Sequence, residues 1–315
     1  SACFCVMARS FRIDLAVGGS LTPSGLAKHA GGAPRPAALW SRPMSYQTLS
    51  ETEWAQVNRA WDLLDEGKVD EARLAVDALM QARPGHPDLR IIAAAVCLDE
   101  GEPAAALESL EGAERSADPA LFFYLRAVAG FELIRFERAR EDALRAVAVN
   151  PDMAEAHDLL ARIAEYLGRE EEAREHAADA RAIDPEAFPD PLEMPADDFA
   201  ALVEESLKEL SPPFRRKLDE VPVIVDDLPR REILAAEDPP LPPDLLGLFV
   251  GRNQLERSHL DLPGVPEAIY LFRRNLLRAC ADRGELMREV RITVRHEVGH
   301  LLGMDEDDLD ELGLG

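Results

Sequence analysis

Two histidines and a glutamate in the last part of the sequence have the spacing of a zinc-binding helix. They are His296, Glu297 and His300, which form the pattern HExxH. On an α-helix, histidines four residues apart lie only about 40° from each other around the axis, so both imidazoles can reach one Zn²⁺. Glu297 falls on the same arc, where its carboxylate can take a proton from a metal-bound water. These residues therefore predict metal-assisted hydrolysis.

The helix around HExxH has three distinct faces. An arginine face, which we expect to be solvated, carries Arg288, Arg291 and Arg295. A structural histidine pair would more naturally lie inside the apolar stripe, but the HExxH side chains fall on a face of their own, which favours the metal site. The apolar stripe comprises Met287, Val290, Val294, Val298 and Leu301.

A zinc site of this type needs a third protein ligand, with the fourth position left for water. We expect the helix to end at Gly303, which can adopt a left-handed C-cap conformation and turn the chain back. The acidic run that follows makes the pattern HExxHxxGxxE, with Glu306 in the third-ligand position. Asp305 and Asp307 are close enough to compete with it. The alternative is a solvated acidic run that ligates nothing.

Local patterns predict a small α+β unit around this helix. Apolar residues recur at helical spacing from Phe199 to Leu210, and Pro212-Pro213 ends that helix. Three short apolar runs suit strands, and an extended peptide could add to an open sheet edge and present its carbonyl to the metal. We take the third run as the candidate edge, and Tyr270 within it as a possible oxyanion donor. The runs are Val221–Val225, Leu246–Val250 and Ala268–Phe272.

From about Asp197 to Gly315 the sequence resembles the minimal zincin-like metallopeptidase family. The family usually has Asp where this chain has Glu306. The resemblance implies a Zn²⁺ site formed by His296 and His300 with a third ligand at Glu306, and it implies a peptide or protein substrate. The order of the matching motifs is more specific than any one of them. They are Phe199–Leu210, Val221–Asp227, Leu245–Gly251, Ala268–Arg274 and Val290–His300.

The middle of the chain is repetitive. Prolines 87, 119, 151 and 185 are separated by 32, 32 and 34 residues, and a period near 34 is typical of tetratricopeptide repeats. Small residues recur where paired helices must cross closely, although the second repeat slips by about one residue near Ala104. The pattern resembles about four such repeats from Glu51 to about Phe188. A plain helical bundle is the alternative.

A helical solenoid of this kind usually binds a protein partner on its concave face. A carboxylate-binding clamp would need a set of basic and amide side chains, which the candidates in this segment do not form convincingly. We interpret His86, His157 and His176 as surface or groove residues rather than ligands. The clamp candidates are Asn58, Arg59, Arg90 and Arg126.

Charge and composition exclude several classes of function. The formal net charge of −25 argues against nucleic acid and against anionic membrane surfaces, because both are bound through positive potential. No apolar run approaches the 18 residues that a membrane-spanning helix needs. Four cysteines in 315 residues form no disulfide pattern, which favours a reducing compartment and hence the cytoplasm.

Residues 1–45 differ sharply in composition from the rest of the chain. They are rich in Ser, Ala, Gly and Arg, and Asp14 is the one acidic residue before Glu51. We interpret this stretch as a disordered extension, or as a spurious one whose true start is Met44. It takes no part in the predicted fold.

The predicted fold is an α-solenoid of tetratricopeptide-like hairpins over residues 51–188, followed by a small α+β zincin-like domain over 195–315. The predicted function is zinc-dependent peptide hydrolysis with Glu297 as general base, while the repeats recruit a protein partner or substrate. The alternative is an interaction protein that binds metal or peptide without cutting, with an inactive zincin domain. Substituting Glu297 separates the two, because only an enzyme would lose turnover.

Overall fold

The computed structural model describes residues 48–251, 265–302 and 304. The predicted extension 1–45 lies outside these residues. Contacts divide the described chain into two compact units. One covers residues 48–131 and 135–188, and the other covers the described residues from Pro189 onward together with Glu132–Ile134. In chain order, Glu132–Ile134 belong to the helical hairpin that begins with the helix Pro119–Glu132.

The first unit is a row of four helical hairpins, in a stretch that the structure describes without a gap. Each hairpin turns through a residue with positive φ, and these residues are 33 or 34 positions apart: Gly67, Gly101, Ile134 and Gly168. Glycine tolerates this conformation, whereas Ile134 is β-branched and strained there. The helices are α1 Glu51–Asp65, α2 Val69–Ala82, α3 Pro87–Asp99, α4 Pro103–Ser109, α5 Pro119–Glu132, α6 Phe136–Val149, α7 Ala154–Tyr166 and α8 Glu170–Ile183.

Small residues bring the paired helices close together, as the repeat pattern predicts. A Cβ on Gly130 of α5 would lie 3.3 Å from the Cβ of Ala139 on α6. Ala60, Ala72 and Ala143 are likewise fully buried. In the second repeat, where the pattern slips, α4 has only seven residues. The predicted fold class is confirmed.

The arginines considered for a carboxylate clamp are engaged within the repeats. The Arg126 guanidinium donates two hydrogen bonds to Asp142, at 2.8 and 2.5 Å. Arg90 donates to the carbonyl of Glu111 at 2.6 Å. The concave face therefore has no assigned ligand.

The second unit is a three-stranded sheet packed with helices, counted over the described residues. The parallel pair is β1 with β3, and β2 pairs antiparallel with β3, so the strand order is β1-β3-β2. The strands are β1 Val223–Asp226, β2 Gly247–Val250 and β3 Ala268–Phe272. The helices are α9 Ala196–Lys208, α10 Pro212–Leu218, α11 Arg231–Leu234, α12 Arg273–Ala279 and α13 Arg283–Leu301.

The predicted sheet edge is wrong. Ala268–Phe272 is the central strand, and the edges are β1 and β2. All five residues of β3 are buried. A short apolar run shows burial but not pairing order, since a central strand and an edge strand covered by a helix share the same composition.

The core of this unit joins α9 and α13 to the sheet. Phe199 and Leu202 of α9 are fully buried, as are Val290, Val294 and Val298 of α13. The three valines of the predicted apolar stripe thus lie on the core face of α13. Helix α9 ends at Lys208, earlier than the predicted Leu210, and Pro212-Pro213 begins α10, because proline is well tolerated in the first turn of a helix.

Within the described residues, no helix combines the length and the apolar character needed to cross a membrane.

Candidate metal centre

Local interactions fix both ends of the HExxH helix. At the start, the Asp282 side chain accepts a hydrogen bond from the Glu285 amide at 2.9 Å. At the end, the Met304 amide donates to the carbonyl of Gly299 at 3.0 Å, the six-residue closure of a Schellman motif. The helix runs to Leu301. The chain therefore turns back directly after HExxH, close to the predicted position.

The two histidines of HExxH face each other, and each directs its Nε2 atom at the other. His296 Nε2 and His300 Nε2 lie 2.9 Å apart, and their ring planes are nearly perpendicular, at 83°. His296 is fully buried. Two nitrogens on one tetrahedral zinc are separated by about 3.3 Å. A shift of a few tenths of an ångström would therefore let both nitrogens bind the same ion, so the pair fits the metal that HExxH predicts.

A backbone carbonyl orients His300. Its Nδ1 lies 3.4 Å from the carbonyl oxygen of Met304. A carbonyl only accepts, so this contact favours the proton on Nδ1 and leaves the Nε2 lone pair directed at His296. Metal-binding histidines commonly have such a carbonyl behind the ring.

The carboxylate of Glu297 is held by the backbone of strand β2. Its Oε2 accepts a hydrogen bond of 2.7 Å from the Phe249 amide, and the residue is buried. The Phe272 amide donates to the Leu246 carbonyl across the β2–β3 pair. Because bonded and non-bonded pairs alternate in an antiparallel ladder, the Phe249 amide points away from β3. An edge strand thus fixes the direction of the Glu297 side chain.

Phe249 is a site residue that sequence reasoning missed. The run Leu246–Val250 is recognisable as a strand, but its position beside Glu297 depends on pairing between segments 48 residues apart. The amide that orients Glu297 belongs to the backbone, so the identity of residue 249 carries no signal for it.

A glycine allows α13 to approach the sheet one turn before HExxH. A Cβ placed on Gly247 would lie 2.4 Å from Cγ2 of Thr293 and 3.0 Å from the carbonyl oxygen of Tyr270. The first distance is shorter than real Cβ contacts, and the second is tighter than nine in ten of them. Thr293 is itself buried, so it has little room to withdraw.

We predict that Gly247→Ala destabilises this unit by about 1–3 kcal/mol, the usual cost of overpacking. Urea unfolding, followed in the transition of the C-terminal unit, measures this loss. Thr293→Ser removes Cγ2 and should restore part of the stability in the double variant. A Gly247→Ala protein as stable as the parent would contradict the close packing of α13 on β2.

Tyr270, the candidate oxyanion donor, lies on the central strand with its side chain fully buried. Its hydroxyl donates to the carbonyl of Pro266 at 3.2 Å. The guanidinium of Arg230 lies over the Tyr270 ring, 5.6 Å from the ring centroid. A role as oxyanion donor would require exchange of the bond to Pro266, and it stays a prediction.

The arginine face of α13 is only partly solvated. Arg288 is exposed, but Arg291 and Arg295 are half-buried. Arg291 pairs with Glu209 at 2.6 Å, and Arg295 lies 5.7 Å from the centroid of the Phe214 ring.

The predicted third ligand cannot be placed. Glu306 and its competitors Asp305 and Asp307 lie outside the described residues. The structure thus brings together His296, His300 and Glu297, and the identity of the third ligand remains a sequence prediction.

One of the comparisons with known proteins covers the part of the chain that holds this site. No curated protein matches the chain. Among solved structures, the chain is similar to the crystal structure of MamA, with 20% identity over 51% of this chain and 88% of that chain and a TM-score of 0.35. Residues 218–315 match the zincin-like metallopeptidase family, which normally binds zinc. The part of the chain that carries HExxH is therefore similar to zincin-like metallopeptidases, as its sequence motifs predicted.

Proposed function

We propose that this protein is a zinc-dependent metallopeptidase whose helical repeats recruit a protein partner or substrate. The observation that supports it best is the 2.9 Å distance between the Nε2 atoms of His296 and His300. The carboxylate of Glu297 is held next to this pair in sequence by a hydrogen bond from the Phe249 amide. Two histidine ligands and an oriented carboxylate are three of the protein groups that this hydrolysis needs, and a third ligand completes the set.

In this proposal His296, His300 and Glu306 hold the zinc ion. The Met304 carbonyl contacts the His300 ring, and Glu306 is two residues further on. Two residues span at most about 7 Å, so a long side chain at 306 has the reach to meet the histidines. Asp305 and Asp307 remain the competing ligands.

Held by these residues, a zinc ion would supply the acidification of a water molecule and the polarisation of a peptide carbonyl. Glu297 acts as general base: it takes the proton from the attacking water and returns it to the leaving amine. Its bond to the Phe249 amide holds one carboxylate oxygen in place, so the base is oriented before substrate arrives. Burial of His296 and Glu297 excludes bulk water from the reacting groups.

We place the substrate peptide beside strand β2. This strand is a sheet edge, and its backbone lies 2.7 Å from the general base at Phe249. An extended peptide next to it would bring its scissile carbonyl to Glu297. The Phe249 amide is already bonded to Glu297, so other main-chain groups of β2 would supply the hydrogen bonds to the peptide. The remaining edge, β1, lies on the other side of β3.

We further propose that residues 51–188 form the recruiting domain and 195–315 the catalytic domain. The helical hairpins and the family match support this division. We propose the cytoplasm as the site of action, which Cys97 and Cys280 support, since both are buried and neither is in a disulfide.

The proposal is tested by digestion of a peptide library with the full chain. Zinc-loaded protein should cut the library, a chelator should abolish cutting, and added zinc should restore it. Cutting that survives the chelator would contradict a metal-dependent mechanism. A zinc-loaded protein that cuts neither peptides nor denatured proteins would contradict the peptidase proposal itself.

A further inference from the structure

A second pair of facing histidines lies in the last helical hairpin, far along the chain from HExxH. His157 is on α7 and His176 is on α8, and their Nδ1 atoms are 3.1 Å apart. Asp179 follows His176 by one helical turn. Its Oδ2 lies 3.4 Å from the Nδ1 of His157 and 3.8 Å from that of His176. Three ligand atoms thus converge on one point between two helices.

These separations suit one metal ion. Ligand atoms on tetrahedral zinc, at about 2.0–2.2 Å from the ion, are about 3.3–3.5 Å apart. The three separations between the ligand atoms of His157, His176 and Asp179, which are 3.1, 3.4 and 3.8 Å, bracket that range. The HExxH pair, at 2.9 Å, is no closer to it.

A backbone carbonyl favours the tautomer of His157 that a metal requires. The Nε2 of His157 lies 3.2 Å from the carbonyl oxygen of Pro151. Because a carbonyl only accepts, this contact favours the proton on Nε2, and in the neutral ring it leaves the Nδ1 lone pair facing His176. A histidine that binds a metal through one ring nitrogen commonly has a backbone carbonyl at the other. The ring of His300 has the same contact, with the carbonyl of Met304.

Burial and charge also suit a cation. His157 is buried, and its neighbour His176 is half-buried. Three carboxylates lie close enough to His176 to act on it electrostatically, those of Asp179, Glu172 and Glu175. A cation between the two imidazoles would therefore lie in a negative potential.

The helical repeat does not itself require these histidines. One 34-residue repeat earlier, the same two positions hold Phe123 and Asp142. There Asp142 pairs with Arg126 at 2.5 Å. The inward positions of the hairpin thus accept an aromatic ring or an ion pair, and the last hairpin instead carries two imidazoles with an adjacent carboxylate.

We propose that His157, His176 and Asp179 form a second metal site, which binds a divalent first-row transition ion such as Zn²⁺ and links α7 to α8. Two imidazoles with one carboxylate is a ligand set that such ions favour. Asp179 is exposed, so the ion enters from solvent and its fourth position takes water or a group from a partner. Since the ion binds the folded hairpin, it should raise the stability of the helical unit.

The test counts zinc ions on the full chain by native mass spectrometry, with Co²⁺ absorption as a second reporter. The parent should bind two ions, His176→Ala one, His300→Ala one, and the double variant none. Loss at one site without loss at the other separates failure of this proposal from failure of the zincin site. Zinc should raise the melting temperature of the helical unit in His300→Ala but not in the double variant.

Two further substitutions guard against simple misfolding. His157→Phe installs the residue of the preceding repeat and should also remove one ion. Asp179→Asn should weaken zinc binding at this site by at least about tenfold, an effect that loss of a second-shell partner already reaches. Glu171→Gln, an exposed acid on the same helix, is the charge-matched control and should change nothing. Equal zinc counts in the parent and in folded His176→Ala and His157→Phe would overturn the proposal and leave only a histidine hydrogen bond.

Discussion

Glu297→Gln should lower kcat/KM for peptide hydrolysis by a factor of about 10²–10⁴, the usual contribution of a general base. The amide retains an oxygen that can accept from the Phe249 amide, so the local geometry should survive. It cannot take a proton from water, and therefore turnover falls while zinc content stays the same. Initial rates on a cleavable peptide, with zinc measured on the same sample, check both halves of this expectation.

Glu209→Gln is the matched control for that substitution. Glu209 is in the same unit, and its carboxylate is 55% exposed in an ion pair with Arg291. Exposed pairs contribute no more than about 1 kcal/mol, so this variant should keep both turnover and zinc. A Glu297→Gln protein with full activity would contradict the role of general base. If the parent chain never cuts the peptide, and Glu297→Gln binds the peptide as tightly as the parent does, the result would favour a non-catalytic interaction protein.

His300→Ala should remove one zinc ion per chain and reduce peptide hydrolysis to background. The Nε2 of His300 is one half of the converging pair, and a single imidazole with one carboxylate is a poor zinc ligand set. Without the ion, Glu297 has no acidified water to deprotonate. Zinc stoichiometry and peptide cleavage, measured after dialysis against zinc, test this expectation.

His176→Ala serves as the control, because it removes an equivalent imidazole from the helical repeats. It should leave hydrolysis of a short peptide unchanged, since a short peptide does not need a recruiting surface. Full hydrolysis by folded His300→Ala would contradict the metal site on α13. Loss of peptide hydrolysis in both variants would show that the second site also serves the reaction.

Periodic features of this protein are readable from sequence. The prolines near a 34-residue spacing predict the hairpins, because each repeat buries the same small residues, such as Ala139, against its partner helix. The spacing of Val290, Val294 and Val298 likewise predicts which face of α13 enters the core. In both cases the information is local, since one helix turn specifies the next.

Pairings between distant segments are not readable in this way. Strand β3 is the central strand of the sheet, although its composition suits an edge strand equally well. The amide of Phe249 orients Glu297 across 48 residues of sequence. The sequence predicts His157 and His86 as surface or groove residues, yet both are buried, and His157 faces His176. The position of a single histidine in the sequence does not show which residue it will contact in the fold.

Zinc K-edge X-ray absorption on the His176→Ala chain tests the central claim most directly, since that chain should hold the HExxH ion alone. We predict one zinc ion with two imidazole nitrogens and oxygen ligands at about 2.0–2.2 Å, and its loss when His300→Ala is added. A folded His176→Ala chain that stays metal-free after zinc is offered would contradict the account of α13 as a metal-binding helix.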